Sequence, residues 1–209
     1  MAARPTEDPF PLARLLPVSE RLQRPFFARP VIETARDCLG KILVHGRTAG
    51  RIVEVEAYLG EQDRAAHAWR GRTRRTQVLY GPAGHAYVYF IYGMYECLNF
   101  TAESEGSPGT LLVRALEPLA GLALMRRRRG PAARRVEDLA SGPGKLTLAM
   151  GITRQHNESD LVTGPIQVRR LTDEPPFEIA VTPRIGIRHC VDWPLRFVIA
   201  GNRFASKGR

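Results

Sequence analysis

The chain has 209 residues, 44% of them hydrophobic, which suits one well-packed soluble domain and argues against a disordered chain or two full domains. Its formal net charge is +10, and 28 of its 31 basic residues are arginines. Such an excess favours a polyanionic partner, nucleic acid ahead of an anionic membrane, although a GC-rich genome would produce the same arginine preference.

The cysteines and the N-terminal residues indicate a cellular compartment. Cys38, Cys97 and Cys190 are odd in number and widely spaced, which indicates neither a disulfide framework nor a metal-binding knuckle. The sequence has no run of 18 apolar residues and no charged-then-apolar leader. We therefore expect a cytoplasmic protein, such as one of the bacterial cytosol, that does not associate with membranes.

The first predicted elements are an arm and a helix. Residues 1–22 are interrupted by prolines and lack a sustained hydrophobic period, so we expect a flexible N-terminal arm followed by a single domain over residues 23–209. A helix is predicted from Pro30 to Leu39, because its apolar residues form one stripe and the following Gly40 suits its end.

The rest of the chain mixes strand and helix patterns, which predicts an α+β domain. Short apolar or alternating runs predict strands at 41–44, 51–58, 86–92, 94–100, 110–115, 165–171, 178–182 and 195–200. Residues 60–84 form a long polar loop, and loops of this length are commonly functional. A helix is predicted over 118–129, with terminal arginines at the negative end of its dipole, and another begins within 141–146.

Residues 53–60, Val-Glu-Val-Glu-Ala-Tyr-Leu-Gly, carry two candidate catalytic carboxylates. On a strand, Glu54, Glu56 and Tyr58 would share one face. The two glutamates could act as acid and base, as metal ligands, or simply as the solvent-exposed face of an edge strand. The histidines and aspartates have no recognised metal spacing, so we expect neither a metal nor a cofactor.

Residues 87–99 form the second notable segment, which is rich in tyrosine. A strand would place Tyr87 and Tyr89 on one face and then reach Tyr92-Gly93, where glycine permits a tight reversal. Such tyrosines could belong to the core or form a platform for nucleobases. A large ring at a turn is exposed by geometry, as in side chains that wedge into the minor groove.

Three further side chains could serve a site. Arg114 interrupts an apolar strand pattern and requires a partner if it is buried, with Glu56 and Glu117 as candidates. Lys145 follows Ser-Gly-Pro-Gly at a helix start, which suits a phosphate contact, with a Schiff-base nucleophile as the alternative. His67 lies in the polar loop, where a histidine more often forms structural hydrogen bonds.

Together these segments resemble the alkyladenine (3-methyladenine) DNA glycosylase family, of the methylpurine type. The resemblance covers roughly residues 22–204 and is strongest in the Glu-Ala-Tyr and Tyr-Gly-Met-Tyr motifs. It implies a single domain with a curved, mostly antiparallel sheet, flanking helices and a protruding β-hairpin that wedges into DNA. It also implies a monomer that binds double-stranded DNA in base excision repair, flips out an alkylated or deaminated purine and hydrolyses its N-glycosidic bond.

The resemblance also implies a role for each site residue. Glu56 would face the sugar of the extruded purine and activate the attacking water, which Arg114 and the backbone carbonyl of Ile185 would help to hold. The other implied contacts are the base pocket (Tyr58, His67, Tyr89 and Asn99), the intercalating wedge and its minor-groove neighbours (Tyr92, Met94 and Tyr87) and the phosphate contacts (Lys145 and Arg72). The loop at 72–80 lacks a proline that many relatives carry, which leaves base preference open.

Two other functions are compatible with the residues alone. The charge and the aromatic platforms would also suit a nucleic-acid-binding module without catalytic activity. Glu54 and Glu56 would also suit a metal-dependent nuclease. A glycosylase releases a base without metal and leaves an abasic site, whereas a nuclease cuts the strand and stops when metal is removed.

Overall fold

The structure, a computed structural model, describes residues 18–91 and 93–207. The strands are β1 (Val18–Arg21), β2 (Ile42–His45), β3 (Thr48–Tyr58), β4 (Ala86–Ile91), β5 (Tyr95–Thr101), β6 (Thr110–Ala120), β7 (Ile166–Leu171), β8 (Ile179–Thr182) and β9 (Arg196–Ile199). The α-helices are α1 (Arg24–Phe27), α2 (Val31–Cys38), α3 (Leu122–Arg129) and α4 (Pro143–Met150). Single-turn 3₁₀ helices lie at Gly60–Gln62, His67–Arg70, Gln77–Tyr80, Gly130–Ala132, Val136–Asp138 and Arg154–His156.

The strands form one sheet in the order β1-β7-β2-β3-β6-β5-β4, and all of its pairs are antiparallel. The first part of β3 pairs with β2 and its second part with β9, while β6 pairs along its other edge. The β3–β6 register shifts between Ile52 and Val55, and such bulges bend a strand and increase its twist. The predicted α+β domain with a curved antiparallel sheet is confirmed.

The main hydrophobic core lies between this sheet and the helices. Phe27, Phe100 and Phe197 are among its largest fully buried side chains, and they come from distant parts of the sequence. Helix α2 buries Val31, Ala35 and Cys38 in this core, as its apolar stripe predicts. Strand β3 lies within this packed sheet, and the C-terminal half of β3 carries polar side chains.

Several predicted boundaries are wrong, including the end of the N-terminal arm and the start of α3. The arm was expected to extend to residue 22, but Val18–Arg21 forms β1 and pairs with β7; residues 1–17 lie outside the described part of the chain. The helix expected at 118–129 begins at Leu122, because Pro118 and Ala120 still pair with β3. Gly121, with φ of 73°, makes the reversal between strand and helix.

Within the described residues, every helix is too short or too polar to cross a lipid bilayer.

Candidate active site

The end of β3 places two carboxylates in the interior. Ile52 through Ala57 are buried, and neither Glu54 nor Glu56 has any exposed surface. The alternative that these glutamates form the wet face of an edge strand is therefore wrong. Because a buried carboxylate is costly without partners, the contacts of each glutamate decide what it can do.

Glu56 accepts contacts from three different elements. The Tyr58 hydroxyl donates to Oε2 at 2.9 Å, and the Ile185 backbone N–H donates to Oε1 at 2.8 Å. The Arg114 guanidinium lies 3.2 Å from Oε1 through Nη1. Two partners were predicted for Arg114, and in the structure it pairs with Glu56 and not with Glu117.

Glu54 is the second partner of Arg114, which sequence reasoning missed. Arg114 Nε donates to Glu54 Oε1 at 2.8 Å, and Arg196 Nε donates to the same oxygen at 2.7 Å. Ser206 adds its backbone N–H at 2.6 Å and its hydroxyl at 2.7 Å. Two guanidinium groups beside these carboxylates disfavour a divalent cation between them, which argues against the nuclease alternative.

The two carboxyl groups differ in acidity because their surroundings differ. Burial raises the pKa of Glu56 above 4.5, and the opposing effects of Arg114, Ile185 and Tyr58 do not cancel it. Burial acts in the same direction on Glu54, but Arg114, Arg196 and Ser206 outweigh it and lower the pKa of Glu54. Glu54 therefore stays ionised as a structural anion, while Glu56 has the raised pKa that suits a general base.

A cavity of about 570 Å³ lies beside this carboxylate cluster, a size typical of sites for small organic groups. Alternate residues of the β4–β5 pair form one wall: Tyr87, Tyr89, Ile91, Tyr95, Cys97 and Asn99. Thr110, Leu112 and Arg114 of β6 continue this wall, since Asn99 is paired with Leu112. The period of two along each strand explains why these side chains share a face.

The aromatic part of the wall is closely packed. The ring centres of His67 and Tyr89 are 4.4 Å apart, and His67 Nδ1 lies 2.9 Å from the Tyr87 hydroxyl. Burial, with a smaller contribution from nearby Arg75, lowers the pKa of His67 to about 4. The imidazole is therefore neutral near pH 7 and adds no positive charge to the cavity.

Glu56 lies one side-chain layer behind the cavity. Its partners Tyr58, Arg114 and Ile185 line the cavity, whereas the buried Glu56 does not. The expectation that Glu56 faces a bound sugar directly is therefore not met in this conformation. The reason is local, because the Tyr58 hydroxyl turns back along the strand to hydrogen-bond the carboxylate.

In the part of the chain that the structure describes, no three His, Cys, Asp or Glu side chains are arranged to hold a metal ion.

A family model described as Methylpurine-DNA glycosylase (MPG) matches residues 25–203. This chain belongs to the methylpurine-DNA glycosylase family. The match includes all of the elements that line the cavity, from β3 to the segment preceding β9.

Several curated relatives resemble the glycosylase over nearly their whole length, and each has the provisional name 3-methyladenine DNA glycosylase. The relative from Methanoculleus marisnigri is 50% identical over 191 residues, which cover 87% of this chain and 96% of that protein. The one from Rhodopseudomonas palustris is 49% identical, covering 89% and 88%. The one from Chlorobaculum tepidum is 45% identical, covering 90% and 91%.

The structure brings most of the predicted site residues of the glycosylase together. Those that line the one cavity described above are Tyr58, His67, Tyr87, Tyr89, Asn99, Arg114, Lys145 and Ile185. Ile185 contacts Glu56 through its N–H, so the water-holding role of its carbonyl stays a prediction. Lys145 lies in the first turn of α4, which borders the cavity through Gly142–Lys145.

The predicted DNA-contacting residues are more dispersed. Tyr87 is only 3% exposed, so it belongs to the cavity wall and does not fit the predicted minor-groove contact. Met94, by contrast, is 67% exposed in the turn between β4 and β5. Arg72 does not border the cavity; it is exposed, with its guanidinium 5.9 Å from the Tyr80 ring centre. Tyr92 lies outside the described residues, and its wedge role stays a prediction.

Sequence reasoning missed several residues of the site. Cys97 could have been found by continuing the period of two beyond the turn. Arg64 and Arg188 also border the cavity, but both lie in loops without a periodic signal. Asp63 and Arg184, which form a buried ion pair, are far apart in sequence and had no local signal.

Proposed function

We propose that the glycosylase hydrolyses the N-glycosidic bond of a damaged purine that is flipped out of duplex DNA, with a water molecule activated by Glu56. Membership of the family makes the chain a DNA glycosylase, and 3-methyladenine is the base named in its relatives. The observation that carries the mechanism is the buried Glu56 carboxylate, which contacts Arg114 and Ile185 directly behind a tyrosine-walled cavity. We further propose 7-methylguanine, hypoxanthine and ethenoadenine as substrates to be tested.

The chemistry of the cavity suits a cationic leaving group. Alkylation at N3 or N7 places positive charge on a purine, which weakens its glycosidic bond. The faces of Tyr58 and Tyr89 can contact such a ring, and a desolvated cation–π contact contributes about 2 kcal/mol. Neutral His67 does not repel the charged base. A neutral base such as hypoxanthine lacks these advantages and would need protonation as it leaves.

The carboxylate can serve both the water and the sugar. A carboxylate offers about four acceptor positions; two of those of Glu56 accept hydrogen bonds from Tyr58 and Ile185, and Arg114 Nη1 lies 3.2 Å from Oε1 as an ion-pair partner. A remaining position can accept a hydrogen bond from water and later its proton, while the negative charge stabilises the oxocarbenium-like sugar. Because Glu56 is covered, we propose that entry of the base moves the Tyr58 ring and admits this water.

The border of the cavity suits the DNA backbone. Lys145 and the first turn of α4 supply positive charge and backbone N–H groups, while Arg64 and Arg188 add two guanidinium groups. Phosphate contacts of this kind position the DNA without reading its sequence. The remaining prediction, the Tyr92 wedge, would fill the space that the flipped nucleotide leaves.

A release assay tests this function. Duplexes that each contain one damaged purine are incubated with excess enzyme, and free base and strand breaks are measured separately, with an undamaged duplex as control. We expect base release that resists a chelator, and strand cleavage only after alkali opens the abasic site. Direct strand scission that a chelator abolishes would indicate a nuclease, and binding without release would indicate a noncatalytic module.

The wedge has its own test. We expect Tyr92→Ser to weaken binding and turnover of damaged DNA while leaving the melting temperature unchanged, because a serine cannot fill the gap left in the base stack. Phe90→Ser is the matched control: Phe90 is 40% exposed on the same strand pair but does not border the cavity. Full flipping by Tyr92→Ser in a base-fluorescence assay would remove the wedge assignment.

A further inference from the structure

A second buried ion pair lies behind the cavity, formed by Asp63 and Arg184. Both side chains are fully buried, and 121 positions separate them in the sequence. The guanidinium binds the carboxylate with both terminal nitrogens: Nη2 donates to Oδ1 at 2.9 Å, and Nη1 donates to Oδ2. Neither residue borders the cavity, so neither can contact a bound base.

Arg184 connects this pair to the surroundings of Glu56. Its Nη1 donates to the Ala57 carbonyl at 3.0 Å, and its guanidinium lies 4.5 Å from the centre of the Tyr58 ring. The next residue along the chain, Ile185, donates its N–H to Glu56. The Arg184 guanidinium therefore contacts one of the three groups that surround the proposed catalytic carboxylate, and its residue adjoins a second along the chain.

Asp63 connects the pair to the loop that carries the aromatic wall. Its two oxygens accept the backbone N–H groups of Leu59 at 3.2 Å and Ala65 at 3.0 Å. These bonds close the turn between the end of β3 and Ala65. Ala65 borders the cavity and lies two residues before His67, which also borders it. The pair thus connects β3, the 59–67 loop and the segment at 184–185 through hydrogen bonds.

Stability alone is a weak explanation for such a pair. A buried ion pair is often no more stabilising than well-packed hydrophobic residues of similar volume, because both charges lose their hydration. Here the Arg184 Nε is also buried without a hydrogen-bond partner, which adds to the cost. A pair that is costly and connects three segments of the site is better explained by a role in holding these segments in position.

We propose that Asp63 and Arg184 are positioning residues that set the Ile185 N–H and the Tyr58 side chain against Glu56. The inference rests on the proposed function, in which Glu56 activates the water. It requires that losing the pair slows the chemical step more than it weakens DNA binding, since neither residue contacts the substrate.

Asp63→Asn tests this inference while keeping the volume of the side chain. Misplacement of a reacting group by about 1 Å can cost on the order of 100-fold in rate, so we expect a loss of that order in the single-turnover rate and little change in half-saturating DNA concentration. Glu174→Gln is the matched control, because it removes the partner of Lys41 at 2.8 Å in a pair that does not border the cavity.

The pH profile separates positioning from a merely structural role. The Ile185 N–H and the Tyr58 hydroxyl both lower the pKa of Glu56, so loosening them should move the acid limb of the rate profile to higher pH. The other charged or titratable groups facing Glu56 are Glu54, Arg114, Cys97 and Arg184, and Asp63→Asn keeps all of them. Removing the negative charge of Asp63 would by itself move the limb to lower pH.

A double variant covers the case in which Asp63→Asn misfolds. Asp63→Leu with Arg184→Met removes both charges, and we expect it to recover most of the melting temperature while its release rate stays low. Recovery of the rate together with stability, or an acid limb that moves to lower pH in folded Asp63→Asn, would overturn the proposal. Failure of the proposed function would look different, since Glu56→Gln would then release base normally.

Discussion

Arg114 is the guanidinium that contacts both buried glutamates, which makes Arg114→Met an informative substitution. Arg114 is 7% exposed and lies 2.8 Å from Glu54 and 3.2 Å from Glu56. Methionine keeps much of the volume and removes the charge. Glu54 retains Arg196 and Ser206, so the carboxylate that loses its one ion-pair partner among the described residues is Glu56.

The expected magnitude follows from burial. Breaking a buried ion pair by removing one partner costs about 3–5 kcal/mol, which for a domain of this length lowers the melting temperature by roughly 6–20 °C. In the variant, burial of Glu56 is no longer opposed by the guanidinium, so its pKa rises further. Between the unfolded value of 4.5 and this raised pKa, the folded state holds a proton that the unfolded chain releases, so stability falls as pH rises.

Urea unfolding at several pH values measures this effect. We expect the free energy of unfolding of Arg114→Met to fall below that of the wild type least near pH 4 and increasingly toward neutral pH. We also expect base release to be lost at neutral pH. Arg154→Met is the control, because Arg154 pairs with Glu96 at 3.3 Å but is 64% exposed. Equal stability of Arg114→Met and wild type across this pH range would refute the reasoning.

Two further substitutions probe the wall of the cavity. Tyr58→Phe removes the hydroxyl that lies 2.9 Å from Glu56, so the pKa of Glu56 should rise and the acid limb of the release rate should move to higher pH; an unmoved limb would contradict the assigned hydrogen bond. Gly144→Ala would place a Cβ 2.7 Å from the Cβ and Cγ of Tyr95. We therefore expect the free energy of unfolding, measured in urea, to fall by about 1–3 kcal/mol and base release to slow. Gly81→Ala, whose Cβ would meet only one atom at 3.5 Å, should be nearly silent, and equal effects of the two alanines would contradict the packing argument.

The sequence predicted those parts of the molecule in which local pattern and tertiary position agree. The hairpin strands are the clearest case, since the alternation of Tyr87 and Tyr89 placed both rings on one face, and that face lines the cavity. Helix α2 was likewise predicted from its apolar stripe. The resemblance to a family, more than spacing, identified Glu56 among several candidate carboxylates.

Local pattern failed where distant segments determine the environment. Alternation along β3 suggested a half-exposed strand, but residues from β9 and the C-terminal segment cover Glu54 through Arg196 and Ser206. No local feature of Asp63 indicates that its partner lies 121 residues away. The layer that Tyr58 places over Glu56 was not predicted either, although this contact is local, because residue spacing does not encode the direction in which the Tyr58 side chain turns.

The central claim is that the carboxylate at position 56 activates the attacking water, and single-turnover base release by Glu56→Gln tests it most directly. The account predicts a folded variant that binds damaged duplex as wild type does and releases base more slowly by a factor on the order of 100 to 10,000. Glu117→Gln, a glutamate of β6 outside the cavity, should release base at the wild-type rate. Release by Glu56→Gln at the wild-type rate, with binding intact, would contradict the account.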